Sequence, residues 1–174
     1  MSAGTFFQTV GGQYSQALGM HEIALVCVLA LEGHDPGVAA SYTNIGIIYR
    51  NQGKYEEALE MHSKSLDIRT RIYGGDNHPD VAKSYGNIGS VLDDMGKPEE
   101  ALVHMQKGLE IELKLLGSDH PDVAASIKNI GIVYHNKGDR AAATEMYTKA
   151  YHIFLTVLGP HHPQTQGLKP FVDE

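Results

Sequence analysis

The stretch from His78 to Asp119 reads HPDVAKSYGNIGSVLDDMGKPEEALVHMQKGLEIELKLLGSD, and the chain then begins again at His120 with HPDVAASIKNIGIVYHNKGDRAAATEMYTKAYHIFLTVLGPH. Asn87-Ile88-Gly89 returns as Asn129-Ile130-Gly131, Gly96 as Gly138, Ala101 as Ala143, Gly117 as Gly159 and His120-Pro121 as His162-Pro163, each 42 residues on. An earlier copy carries Asn44-Ile45-Gly46, Gly53 and Ala58 at a spacing of 43, with the extra residue in the loop Tyr73-Gly74-Gly75-Asp76-Asn77. A period of this size marks a stacked repeat array, in which each unit buries its apolar face only against its neighbours. The repeats divide the 174 residues, read as one domain, into a partial first repeat (1–33), full repeats at 34–77, 78–119 and 120–161, and a capping half-helix at 162–174.

The bulk composition narrows the function classes. A net charge of −7 leaves no basic surplus for phosphates, so nucleic acid and anionic membrane surfaces are not expected partners. The single cysteine, Cys27, cannot form an intrachain disulfide. The apolar run Ile23–Leu31 is too short to span a bilayer, and no Lys or Arg precedes Arg50 to supply the basic start of a secretory signal. The expectation is a cytoplasmic protein without membrane insertion.

Each unit reads as two helices. Pro36, Pro79, Pro121 and Pro163 stand where a helix should begin, because the first helical position does not need the N–H that proline lacks. The histidine before the proline is expected in the cap region, and Asp80 and Asp122 follow in the first turn, where the helix dipole favours an anion. First helices are expected over roughly 37–52, 80–95 and 122–137. Their apolar stripes are Tyr42, Ile45, Ile48 and Tyr49; Tyr85, Ile88, Val91 and Leu92; and Ile127, Ile130, Val133 and Tyr134. Gly46, Gly89 and Gly131 lie inside these stripes, where glycine costs on the order of 1 kcal/mol unless a paired helix approaches closely. Gly53, Gly96 and Gly138 end the first helices. Second helices are expected at 55–73, 98–116 and 140–158. Ala58, Ala101 and Ala143 are small contacts in them, followed by Ser65, Gly108 and Ala150. Their expected core stripes are Leu66, Ile68 and Ile72; Leu109, Ile111, Leu115 and Leu116; and Tyr151, Ile153, Val157 and Leu158.

The ends differ from the middle. Phe6 and Phe7 align with Ile47 and Ile48, so the chain enters midway along a first helix. Residues 13–33 match a second helix, but Ile23, Val26, Val28 and Leu29 replace Lys64, Asp67, Arg69 and Thr70. A helix apolar all round is buried on all sides. These six residues therefore form an expected end interface, covered either by the preceding segment or by a partner, a second copy included. At the other end Pro170 stops a polar half-helix that starts at His162.

The small-residue positions Gly46, Ala58 and Ser65, with Tyr42, Ile45 and Tyr49, resemble the tetratricopeptide pattern. The longer period, the Asn-Ile-Gly triplets, the loop Leu116–Ala124 and the stretch Gly53-Lys54-Tyr55-Glu56-Glu57-Ala58-Leu59 resemble the repeats of kinesin light chains and nephrocystin-3. The resemblance covers about residues 4–169; no heptad segment for a heavy chain is present. It implies an all-α fold, a right-handed α-solenoid of stacked antiparallel helix pairs, with first helices lining a groove. It also implies that Asn44, Asn87 and Asn129 face that groove, where an amide offers donor and acceptor to an extended main chain. Arg50, Lys83, Lys128 and His135 are expected to border it, with Asp93 and Asp94 near its rim. The carboxylate clamp of chaperone-binding relatives is not matched, because asparagine fills the places that need a cation.

No catalytic or metal reading survives. Successive His-Pro loops are a whole repeat apart, and no second histidine pair has zinc-site spacing. No phosphate-binding glycine loop follows a strand. Glu56, Glu57, Glu99 and Glu100 sit at helix starts, where the dipole accounts for them. No cofactor is expected. Two functions stay open: a non-enzymatic module that binds a protein or peptide ligand in its groove, and a structural subunit whose complementary ends assemble head to tail into a homo-oligomer or filament.

Overall fold

The structure, a computed structural model, describes Gly19 and residues 35–172. The expected end-interface residues Phe6, Phe7, Ile23, Val26, Val28 and Leu29 lie outside the described residues, as does Cys27. Over residues 35–172 seven α-helices run in chain order: α1 Pro36–Asn51, α2 Tyr55–Tyr73, α3 Pro79–Asp94, α4 Pro98–Leu116, α5 Pro121–Asn136, α6 Arg140–Leu158 and α7 Pro163–Leu168, followed by a 3-10 turn Lys169–Phe171. No strand occurs among the described residues. Helices pack as consecutive pairs, and the fold is an α-solenoid. The chain divides into two compact units, Met1–Gly75 and Asp76–Glu174. The described part of the first is the α1–α2 pair. In the second, α3 pairs with α4 and α5 with α6, α4 lies against α5, and α7 closes over α6.

The sequence fixes where helices start and stop. First helices begin one residue earlier than the stripes suggest, because the proline itself occupies the first turn. The residue before it caps the helix. Asp35 Oδ1 accepts from the Gly37 N–H at 2.6 Å, and Nδ1 of His78, His120 and His162 accepts from the N–H two residues on at 3.1, 3.1 and 3.3 Å. The recurring histidines are thus N-caps, in the place usually held by Ser, Thr, Asp or Asn. At the other end Gly53, Gly96 and Gly138 adopt φ of +75°, +73° and +87°. Lys54, Lys97 and Asp139 each donate back to the carbonyl five residues earlier, at 2.9 Å, which satisfies carbonyls that the helix leaves open.

Within each pair two small-for-large contacts set the helix separation. A Cβ on Gly46 would lie 2.8 Å from the His62 ring, one on Gly89 2.5 Å from Met105, and one on Gly131 2.8 Å from the Tyr147 ring. The glycine makes room for the facing side chain, as expected. The reciprocal contact sits toward the other end of the pair. A Cβ on Gly108 would lie 2.8 Å from the Ala82 carbonyl oxygen. In α2 the same place holds Ser65, whose hydroxyl donates to the Ala39 carbonyl at 2.8 Å and meets Thr43 Oγ1 at 2.8 Å. Ala150 takes that place in α6 and is buried in one cluster with Ala124.

The second helices differ from expectation. Leu115 and Val157 are exposed, and Leu66, Ile68, Ile72, Leu109, Leu116, Tyr151, Ile153 and Leu158 are only half-buried. The buried set runs Ala101, Leu102, Met105, Gly108, Ile111 and Glu112 in α4, and Ala143, Tyr147, Ala150 and Phe154 in α6, so that Ile111 and the small residues match expectation and the rest do not. The stripe follows the small residues, because the partner helix approaches closest there, and the bulkier apolar residues flank it. On α1, α3 and α5 the expected stripe is buried except at Tyr49, Tyr85, Ile127 and Tyr134, which are half-buried, and Val38-Ala39, Val81-Ala82 and Val123-Ala124 are buried in addition.

His62 is 2% exposed and its Nδ1 has no hydrogen-bond partner among the described residues. Burial, with the Arg50 and Arg69 charges adding, lowers its pKa from 6.5 to about 4. A base whose folded pKa is depressed contributes stability above its unfolded pKa and loses it as the pH falls through the folded one. The window is therefore pH 6.5 down to about 4, and the loss is on the order of 3 kcal/mol. His62→Met, the residue at the equivalent place in the next repeat (Met105), should flatten this decline in amide exchange of α1 and α2 measured at pH 7 and pH 4.5; an unchanged decline would show that His62 is not its source.

Glycine substitutions separate close contact from helix propensity. Gly108→Ala should destabilise by about 1–3 kcal/mol, because the obstacle is backbone. Gly86, where an added Cβ meets nothing within 4 Å, should on replacement by Ala give a gain of roughly 1 kcal/mol. Urea melts of the two variants test the contrast, and equal signs would contradict it.

Candidate functional site

Three of the residues expected to face a groove come together in the second unit. Lys83, Asn87 and Asn129 line one cavity of about 200 Å³ in the second unit. Lys83 and Asn87 come from α3, one turn apart and flanking Gly86, while Asp122, Ser126 and Asn129 come from one face of α5. Glu112 of α4 completes the wall. Gly86 leaves open the space that a side chain on α3 would otherwise occupy.

The other expected residues are not part of this cavity's lining. Asn44 and Arg50 are on α1 in the first unit, Asn44 exposed and Arg50 half-buried. Lys128 is half-buried on α5 and does not line the cavity. His135 lines a second cavity of about 430 Å³ with Arg140, Thr144, Tyr147, Pro170 and Phe171. The Tyr147 and Phe171 rings pack there with centroids 4.9 Å apart. Asp93 accepts a hydrogen bond from Asn136 Nδ2 at 2.7 Å, and Glu99 pairs with Lys137 at 3.1 Å, so these carboxylates tie one repeat to the next.

Glu112 is the member that repeat periodicity did not single out. Position by position it matches Arg69 one repeat earlier and Phe154 one repeat later. Phe154 is fully buried in a cluster with Leu168 of α7. Glu112 is buried almost as completely, at 5% exposure, between its own repeat and α5. Burial pushes its carboxyl pKa up and the Asp122 charge adds to this; a hydrogen bond with Ser126 and the Lys83 and His120 charges act the other way. Its Oε2 has no partner among the described residues. The available signal was this register: a charged residue at a place that becomes core in the next copy.

Comparison with known proteins agrees with the geometry. The tetratricopeptide-repeat family profile matches residues 8–71, 37–112 and 80–156, in overlapping windows that take in most of the chain. The chain belongs to the tetratricopeptide-repeat family. Among solved structures this tetratricopeptide-repeat chain is similar to BtubC (BKLC) from P. vanneervenii, at 22% identity and a TM-score of 0.81, covering 95% of this chain and 66% of that one. It is also similar to kinesin light chain nearly identical TPR-like repeats from Podosopora anserina, at 22% identity and a TM-score of 0.75, covering 93% of this chain and 77% of that one. The chain thus spans just under two thirds of the BtubC chain. At these identities the likeness concerns the fold. No curated protein matches the sequence.

An unpaired, buried carboxylate lowers stability, since its desolvation is only partly offset. Glu112→Gln keeps the shape and removes the charge. A carboxyl whose folded pKa is raised loses stability as the pH rises from its unfolded value of 4.5 through the folded one. Glu112→Gln should therefore be more stable than the parent at pH 8 by about 1 kcal/mol or more, and the gain should shrink at pH 4. Urea unfolding at the two pH values measures it, and a gain that does not change with pH would show that the charge is not the cause.

Proposed function

We infer that the chain is a non-catalytic protein-interaction module whose second unit takes an extended peptide segment across α3 and α5. The observation that carries this reading is the convergence of Asn87 and Asn129, from two successive repeats, on one cavity with Lys83 at its side. An extended main chain alternates N–H and C=O groups along its length. A pair of amide side chains can give and take hydrogen bonds with both. Tetratricopeptide repeats in general mediate protein–protein interaction or assembly, which sets the class of partner. The cavity is small against the roughly 300–1,000 Å³ of sites that enclose drug-sized ligands. It suits one side chain of a longer partner that lies over the surface.

No described helix is long and apolar enough to cross a membrane. With one cysteine and an acidic balance, a cytoplasmic setting fits this reading.

The test is selection of displayed random heptapeptides on the full chain. Sequences that bind should weaken about tenfold on Asn87→Ala, the loss of a hydrogen bond to a desolvated backbone group. Lys83→Glu should change which peptides are enriched. Enrichment of the same peptides, at the same affinity, by the parent and both variants would overturn the reading.

A further inference from the structure

We propose that the cavity between α3, α4 and α5 is a subsite for one basic side chain of a bound peptide, arginine before lysine, with the Glu112 carboxylate as the recognising group. This rests on the peptide-binding reading above and adds to it what the peptide must carry.

Three observations converge on Glu112. The first is register. The equivalent residue of the following repeat, Phe154, fills a fully buried apolar slot, so a carboxylate at this place is not explained by packing. The second is satisfaction. Glu112 is 5% exposed, and its Oε2 has no partner among the described residues. A buried carboxylate with an unmet acceptor gains more from an incoming donor than a solvated one would. The third is setting. Glu112 forms part of the wall of a cavity of about 200 Å³ that also presents Asp122 and the amides of Asn87 and Asn129.

The charges fit one cation. Glu112 and Asp122 contribute two carboxylates, Lys83 is exposed at the side of the cavity, and His120 lies close enough to act on Glu112. A single guanidinium or ammonium balances the excess negative charge, and Lys83 repels a second. Arginine suits better than lysine because its planar fork carries five donors and no acceptor, while the cavity offers carboxylate and amide oxygens from three helices. Charge-assisted hydrogen bonds to a carboxylate are about twice as strong as neutral ones.

The probes are heptapeptides selected on the full chain, each resynthesised with its basic residue as arginine, lysine or the neutral isostere citrulline. Affinity is read by fluorescence anisotropy against the parent and Glu112→Gln. The expected result is one invariant basic position, and a loss of roughly thirtyfold or more when either partner of the pair is neutralised. The two losses should not add, since each removes the same pair. The citrulline peptide leaves the protein unaltered, so the outcome does not depend on how the variant folds. Selected peptides without a basic position, or binding within twofold for citrulline and Glu112→Gln, would overturn the subsite and leave groove binding standing. No enrichment of any peptide by the folded chain would overturn both.

Discussion

The structure depends on how closely two helices of one repeat can approach. That distance is set where a residue without a side chain faces one with a large side chain: Gly46 against His62, Gly89 against Met105, Gly131 against Tyr147. Dense packing leaves little slack, so an added methyl group must displace a ring, a thioether or a backbone carbonyl. The periodic glycines serve this contact although each weakens its own helix. A two-helix unit cannot enclose a core alone, and α4 against α5 supplies the next layer in the second unit.

The large partner in this contact varies freely among copies, and that freedom has consequences. Histidine, methionine and tyrosine all fill the same space, but only histidine brings a titratable ring into it. The first repeat pair thereby acquires a dependence on pH that Met105 and Tyr147 do not confer at neutral pH. A second variable place is held by Arg69, Glu112 and Phe154; in the second unit Glu112 lies beside residues of α5 and Phe154 packs with Leu168 of α7. Phenylalanine there closes the end of the array under α7. Glutamate there leaves a polar wall beside the opening that Gly86 creates. The scaffold is common to all copies, and each copy's chemistry is written at these two places.

Stability and recognition conflict at Glu112. A leucine or phenylalanine would add buried apolar surface worth about 1.5–3 kcal/mol. The carboxylate instead is desolvated with one oxygen unmet. Binding sites commonly keep such locally unfavourable groups, because a partner can then supply what the fold withholds.

The repeat period, the helix boundaries, the proline starts and the glycine stops were all legible in the chain, because each depends on interactions within a few residues. The first-helix stripe was legible too, since Ile45, Ile88 and Ile130 recur at helical spacing beside the glycines. The buried face of the second helices was legible only at its small residues and Ile111. Leu115 and Val157 are apolar and exposed, while Ser65 and Glu112 are polar and buried. Facing helices decide which side turns inward, and closest approach follows the small residues rather than the most hydrophobic ones. The same reason separates Lys83, Asn87 and Asn129, which share a cavity, from His135, which lines another with the C-terminal turn. Local pattern determined the helices; only the meeting of three helices from two repeats decided which side chains share a site.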